Sequence, residues 1–179
     1  MWDVRRIEHG EQRFGTYCSP AAGSQTFKAN IRPRQPEMTR TSKPITAITD
    51  ACPEFPDWPR RWMGVDEDVP YGLGILEVFA PFIQKMIDDG RARKTIVTHC
   101  TNLWLLGGEI IRRVALYNEY HIEPHRMVMN SVGPDGGISC RHLDCEAHVS
   151  SYDGTCRRLY RFLQEQGRAG QSRGRPNAG

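Results

Sequence analysis

Apolar positions fall into helical rows over residues 71–166 and form no comparable row before them. Over 94–118, Ile96, Cys100, Leu103, Gly107, Ile110, Val114 and Tyr117 alternate at spacings of four and three, and Val97, Trp104 and Ile111 form a second row. A helix returns to the same side every 3.6 residues, so two rows predict a helix buried over a broad face. The same spacing predicts a helix over 73–89, with Ile75, Phe79, Phe82 and Met86 in one row and Leu76, Ile83 and Ile87 beside it. Pro81 conflicts with that helix, because it lacks a backbone donor and crowds the preceding turn; a kink, or a start close to Pro81, is expected. Gly90, after Asp88-Asp89, suits a left-handed stop.

Farther along, Pro124 is expected to open a short helix through Met127, Val128 and Met129, with a turn over 133–137. Residues 141–150 read equally as a turn of helix or a loop. Asp153 suits the N-cap of a last helix over 154–166, with Leu159, Phe162 and Leu163 on one face and Arg157, Arg158 and Arg161 on the other. Gly107-Gly108 costs the second helix roughly 1 kcal/mol per Gly in propensity, and close approach of another helix is the usual reason. Short links favour antiparallel neighbours. The fold expected is all-α: a small bundle of about four helices over 71–166.

Residues 1–70 hold eight of the twelve Pro and no long periodic segment, which predicts a disordered or loosely attached region. Met38 offers a second start, so residues 1–37 read as a mis-assigned extension. Residues 167–179 are Gly, Ser, Arg and Pro with few others, and read as a flexible tail.

Composition narrows the function classes. The mean hydropathy is −0.57 and no apolar run approaches the roughly 20 residues of a membrane span, so a transmembrane reading is set aside. The N-terminus lacks the apolar stretch of a secretory signal, which reads as cytoplasmic, and the six Cys then read as reduced thiols. The net charge of +3 is too small to argue for nucleic acid by itself. Its distribution says more: residues 1–70 sum to zero, 71–155 to −2 and 156–179 to +5. Twenty Arg stand against four Lys, a bias that suits phosphate and guanine recognition and that a GC-rich genome also produces.

The chain shows no P-loop, His-Glu-x-x-His or Gly-x-Ser-x-Gly, and Gly72-Leu73-Gly74 lacks the third Gly of a dinucleotide fingerprint. Asp66-Glu67-Asp68 and Asp88-Asp89 read as solvated charges. Cys140, His142, Cys145, His148 and Cys156 are zinc-competent side chains, but no tight Cys-x-x-Cys pair is among them and Cys156 suits a core position; the weight falls against a metal site. The remaining surface is that of the second helix. Arg91, Arg93 and Lys94 stand at its start, and Thr95, His99 and Asn102 follow at helical spacing, expected opposite the apolar rows. Such a face can hold phosphates near a helix start, with Asn102 reading adenine and His99 a phosphate or base edge. An ordinary solvated face is the competing reading.

The stretch from Phe82 to Leu106, with Gly90, Lys94-Thr95-Ile96 and Leu103-Trp104-Leu105-Leu106, resembles the core-binding domain of phage-type integrases, the tyrosine recombinases. Cys140-Arg-His-Leu-Asp144 and Thr155-Cys-Arg-Arg-Leu-Tyr-Arg-Phe-Leu163 look like the closing part of that unit. The resemblance covers about residues 71–165 and implies a SAM-like helical bundle that contacts duplex DNA during integration. It extends the DNA-binding set to Arg157, Arg158 and Arg161. It does not imply strand cleavage, because none of the six His begins a His-x-x-Arg and Tyr152 and Tyr160 lie inside the helical unit. The expectation is therefore a DNA-binding domain that is not itself an enzyme and needs no cofactor, with duplex DNA and a full-length or split recombinase as partners. Two alternatives stay open: a helical protein–protein module that partners a recombinase, and an inactive gene remnant.

Overall fold

The row Ile96, Cys100, Leu103, Gly107, Ile110 and Val114 is buried along its whole length in one helix, Arg93–Tyr117, in a computed structural model that describes residues 45–173. Tyr117, the last member of the expected row, is 64% exposed, because the helix ends there. Asn118 takes the left-handed conformation (φ 53°) that lets its N–H close on the Val114 carbonyl.

In chain order the elements are α1 (Ile48–Ala51), a 3-10 turn (Phe55–Asp57), α2 (Trp58–Trp62), α3 (Asp68–Asp88), α4 (Arg93–Tyr117), α5 (Pro124–Ser131) and α6 (Glu146–Arg173). The fold is all-α. Among the described residues there is no strand, only an isolated antiparallel bridge between Val132 and Gly137. Helix α3 packs against α2, α4 and α5, while α4 packs against α6 on another side. The four helices expected over 71–166 are α3 to α6, and among the described residues α1 and α2 add two short ones ahead of them.

Residues 45–70 correct the first domain boundary. The segment folds into α1, the 3-10 turn and α2, and sends Ala51, Phe55, Trp58 and Trp62 into the core. Phe55, Trp58 and Trp62 pack in succession, edge-on and then tilted, with ring centroids 4.8 and 5.7 Å apart. Its turns are too short to show a period. Pro56 and Pro59 stand in the first turns of their helices, where the missing N–H costs nothing. The same residues read as breakers in the sequence. The expectations for residues 1–44, including the extension at 1–37, lie outside the described residues, as do residues 174–179.

The end of the chain is corrected too. Helix α6 starts eight residues before the expected 154 and runs to Arg173, so residues 167–173 are helical, not a flexible tail. Asp153 lies inside α6, where its carboxylate accepts the Gly137 N–H at 3.2 Å. Pro81 is absorbed within α3. That helix stops as expected: Gly90 (φ 68°) and Arg91 donate back to Ile87 and Met86 at 2.9 and 3.0 Å.

The close approach expected at Gly107 is made by a side chain. The Trp62 indole lies against Gly107, where an added Cβ would overlap it, and its Nε1 donates to the Trp104 carbonyl at 3.0 Å. Asp68, read as a solvated charge, is wholly buried. It accepts the N–H groups of Gly64 and Val65 at 2.7 and 3.0 Å and the Tyr120 hydroxyl at 2.7 Å. One carboxylate thus joins the α2–α3 link, the start of α3 and the link after α4.

Gly107→Ala gains about 1 kcal/mol of helix propensity and loses about 1–3 kcal/mol to overpacking against a hydrogen-bonded indole. A lower thermal midpoint is expected, with a smaller drop for Gly108→Ala, whose Cβ would stand 3.3 Å from the same ring. Asp68→Ala leaves two amides and a phenol without their acceptor and should cost about 3 kcal/mol in a denaturant titration.

Candidate functional site

The start of α4 and the flank of α6 meet across a polar seam. His99 is 9% exposed and Asn102 6%, so neither lies on the open surface where their polarity had put them. Asn102 Nδ2 donates to Thr155 Oγ1 at 2.8 Å, the Ser151 carbonyl at 3.0 Å and Ser151 Oγ at 3.1 Å. Thr155 Oγ1 also lies 2.9 Å from His99 Nδ1 and 3.2 Å from the Ser151 carbonyl. The hydroxyl has one proton to give. When it goes to the carbonyl, the imidazole must be the donor and therefore carries its proton on Nδ1. The Phe82 ring stands edge-on to the imidazole, centroids 6.2 Å apart. Burial holds the His99 pKa below the usual histidine value, and the nearby charges of Arg158 and Arg91 push it the same way. The seam is a structural tie between two helices, and base reading by His99 and Asn102 is withdrawn.

Around this seam the chain gathers positive charge. Arg91, Arg93, Lys94 and Thr95 are exposed at the start of α4, and Arg158 is exposed on α6. Arg91 and Arg158, far apart in sequence, both act on the same imidazole. Among the described residues, none of these four basic side chains has an ion-pair partner. The adjacent Asp88 and Asp89 are engaged on their own helix by Gln84 at 2.9 Å and Lys85 at 3.1 Å. No side chain caps the N-terminus of α4, whose N-cap position is Ala92. The outer face of its first turns is completed by Thr98, whose hydroxyl bonds the Lys94 carbonyl at 3.0 Å.

The remaining basic candidates separate. Arg157 turns to the 133–137 turn, donating to the Asp135 carbonyl at 3.0 Å. Arg161 is exposed and leans back along α6 to the Arg157 carbonyl at 3.3 Å.

The five zinc-competent side chains do not converge either. Cys140 and Cys156 are core residues. Burial raises both thiols above their usual value, Cys156 to about 12, which disfavours the thiolate a metal needs. His142 is exposed in the loop before α6, apart from Cys145 and His148. Sequence reading missed Glu109, a carboxylate 3% exposed that accepts Arg112 Nε at 2.7 Å and the Arg141 N–H at 3.4 Å. It also missed the contact of the Cys52 and Cys100 thiols between α1 and α4, which lowers the Cys52 pKa and raises that of Cys100. None of these three residues stands in a motif; only the packed neighbour reveals each.

The class these features define is a small all-α bundle with a cationic edge at one helix start. No helix among the described residues is long and apolar enough to cross a membrane. Comparison with known protein families, curated proteins and solved structures finds no match.

A pKa held low in the fold means that the unfolded chain binds the proton more readily. The His99 contribution to stability is therefore present above about pH 6.5, its unfolded value, and is lost as pH falls from there toward the folded value. The thermal midpoint should fall on acidification from neutral pH, and His99→Gln should flatten that dependence.

Proposed function

We propose that the chain binds duplex DNA through its phosphates, at the edge formed by Arg91, Arg93, Lys94, Thr95 and Arg158. The observation that carries this reading is the convergence of Arg91 and Arg158 on one imidazole, beside Arg93 and Lys94, with no acidic partner among the described residues. A helix N-terminus adds to the field there: its first N–H groups lack intrahelical partners and carry partial positive charge. Phosphate oxygens suit both kinds of donor. The resemblance of residues 71–165 to the core-binding domain of tyrosine recombinases supports the same reading and supplies its context, DNA integration or site-specific recombination. The chain acts there as a binding domain and not as the cleaving enzyme.

The engaged polar atoms of His99 and Asn102 leave threonines and long cations on the outer face of α4. Binding through such groups follows the backbone and discriminates little between sequences. A second reading is favoured by Leu116 and Tyr117, each 64% exposed at the far end of α4: a helical module that docks on a protein, such as a recombinase.

Fluorescence anisotropy with two unrelated duplexes separates the readings. DNA binding predicts similar affinity for both, and about four phosphate contacts predict a log–log salt slope near −3.6. Charge reversal of Arg91, Arg93 and Lys94 together should abolish binding, while Arg157→Glu should leave it nearly intact. Unchanged affinity in the triple variant would overturn the assigned edge. Salt-independent behaviour with co-purification of a protein would favour the docking module.

A further inference from the structure

We propose that Asp144, Cys145 and His148 form a zinc-binding site at the start of α6, distinct from the phosphate-binding edge. A carboxylate oxygen, the Cys145 sulfur and an imidazole nitrogen lie within 4.8 Å of one another. A soft thiolate with imidazole and one carboxylate is a donor set that suits Zn2+ and not Mg2+ or Ca2+.

Tetrahedral zinc with bonds of about 2.0–2.3 Å sets its donors roughly 3.3–3.6 Å apart. One edge of that tetrahedron already stands: His148 Nδ1 lies 3.4 Å from Asp144 Oδ1. The Cys145 sulfur lies within 4.8 Å of both other donors, so binding has to draw the other two edges in. The spacing Asp-Cys-x-x-His works because Cys145 immediately precedes α6 and His148 stands in its first turn. Residues three and four apart on a helix share a face.

The backbone bearing the donors is anchored on both sides. The Cys145 carbonyl accepts the N–H groups of His148 and Val149, both at 3.1 Å. Upstream, the Leu143 N–H bonds the Cys140 carbonyl at 3.3 Å, Cys140 is buried, and the neighbouring Arg141 is held by Glu109. Asp144 and His148 are exposed and Cys145 is half-buried, so the ion can enter from solvent without unfolding the loop. Three protein donors leave a fourth position for water. Bound zinc would staple the loop before α6 to its first turn.

Cobalt is the probe, because a Co2+–thiolate bond gives a near-ultraviolet charge-transfer band and tetrahedral Co2+ gives strong visible bands. Untagged, fully reduced chain should take up one equivalent of Co2+ with both features, and zinc should displace it while excess Mg2+ or Ca2+ does not. Cys145→Ser should lose the charge-transfer band with its helical circular dichroism unchanged. Asp144→Asn and His148→Asn should each weaken zinc by roughly tenfold or more. Zinc should raise the thermal midpoint of the wild type and not that of Cys145→Ser. Absence of the charge-transfer band in the wild type, or its persistence in Cys145→Ser, would overturn the site.

Discussion

The bond from Asn102 to Thr155 is made inside the protein, between helices that are neighbours only after folding. An amide, an imidazole and a hydroxyl removed from water cost heavily unless each finds a partner. Here the partners are one another and the Ser151 carbonyl. That requirement sets how α6 lies on α4: Thr155 must face Asn102, while Leu159 and Leu163 reach the core from the same helix. The orientation then carries Arg158 to the side where Arg91 leaves α3, and turns Arg157 toward the 133–137 turn. The cationic edge is a consequence of how a buried polar seam is satisfied.

The opposite side of α4 is held by shape. Trp62 lies on the bare backbone at Gly107, so α2 approaches closer than any side chain there would allow. Asp68 supplies the polar counterpart, gathering two amides and the Tyr120 phenol. The Tyr71 ring packs edge-on to Tyr120 and its hydroxyl donates to the Ile122 carbonyl at 2.7 Å, fixing the link after α4 against α3. Between these contacts and the α6 seam, α4 is covered for most of its length. Its two ends remain open: Arg93 and Lys94 stand at the first turns, and Leu116 and Tyr117 at the last.

Much of the fold was legible in residue spacing. The apolar rows of α3 and α4 repeat through several turns, and Gly90 closes α3 with the bonds its conformation allows. Residues 45–62 were not legible, because turns of three to five residues show no period and their prolines read as breaks. The candidate site was legible in part. Arg91, Arg93, Lys94 and Thr95 are adjacent in sequence and remain together at an exposed helix start. His99 and Asn102 misled for a physical reason: polarity marks a surface only when no partner waits inside, and Ser151 and Thr155 lie about fifty positions away.

The sequence by itself determined the long helices α3 and α4, where α3 stops, and which residues carry charge, thiol and imidazole. Those properties are local, set by periodicity, backbone preference and side-chain chemistry within a few turns. Tertiary structure alone decided which of those groups meet. It buried His99 and Asn102 against α6, drew Arg158 to the start of α4, turned Arg157 away, and sent Cys140 and Cys156 into the core while leaving Cys145 beside His148. Burial and proximity depend on which helix covers which face, and that is settled by packing between residues distant in the chain.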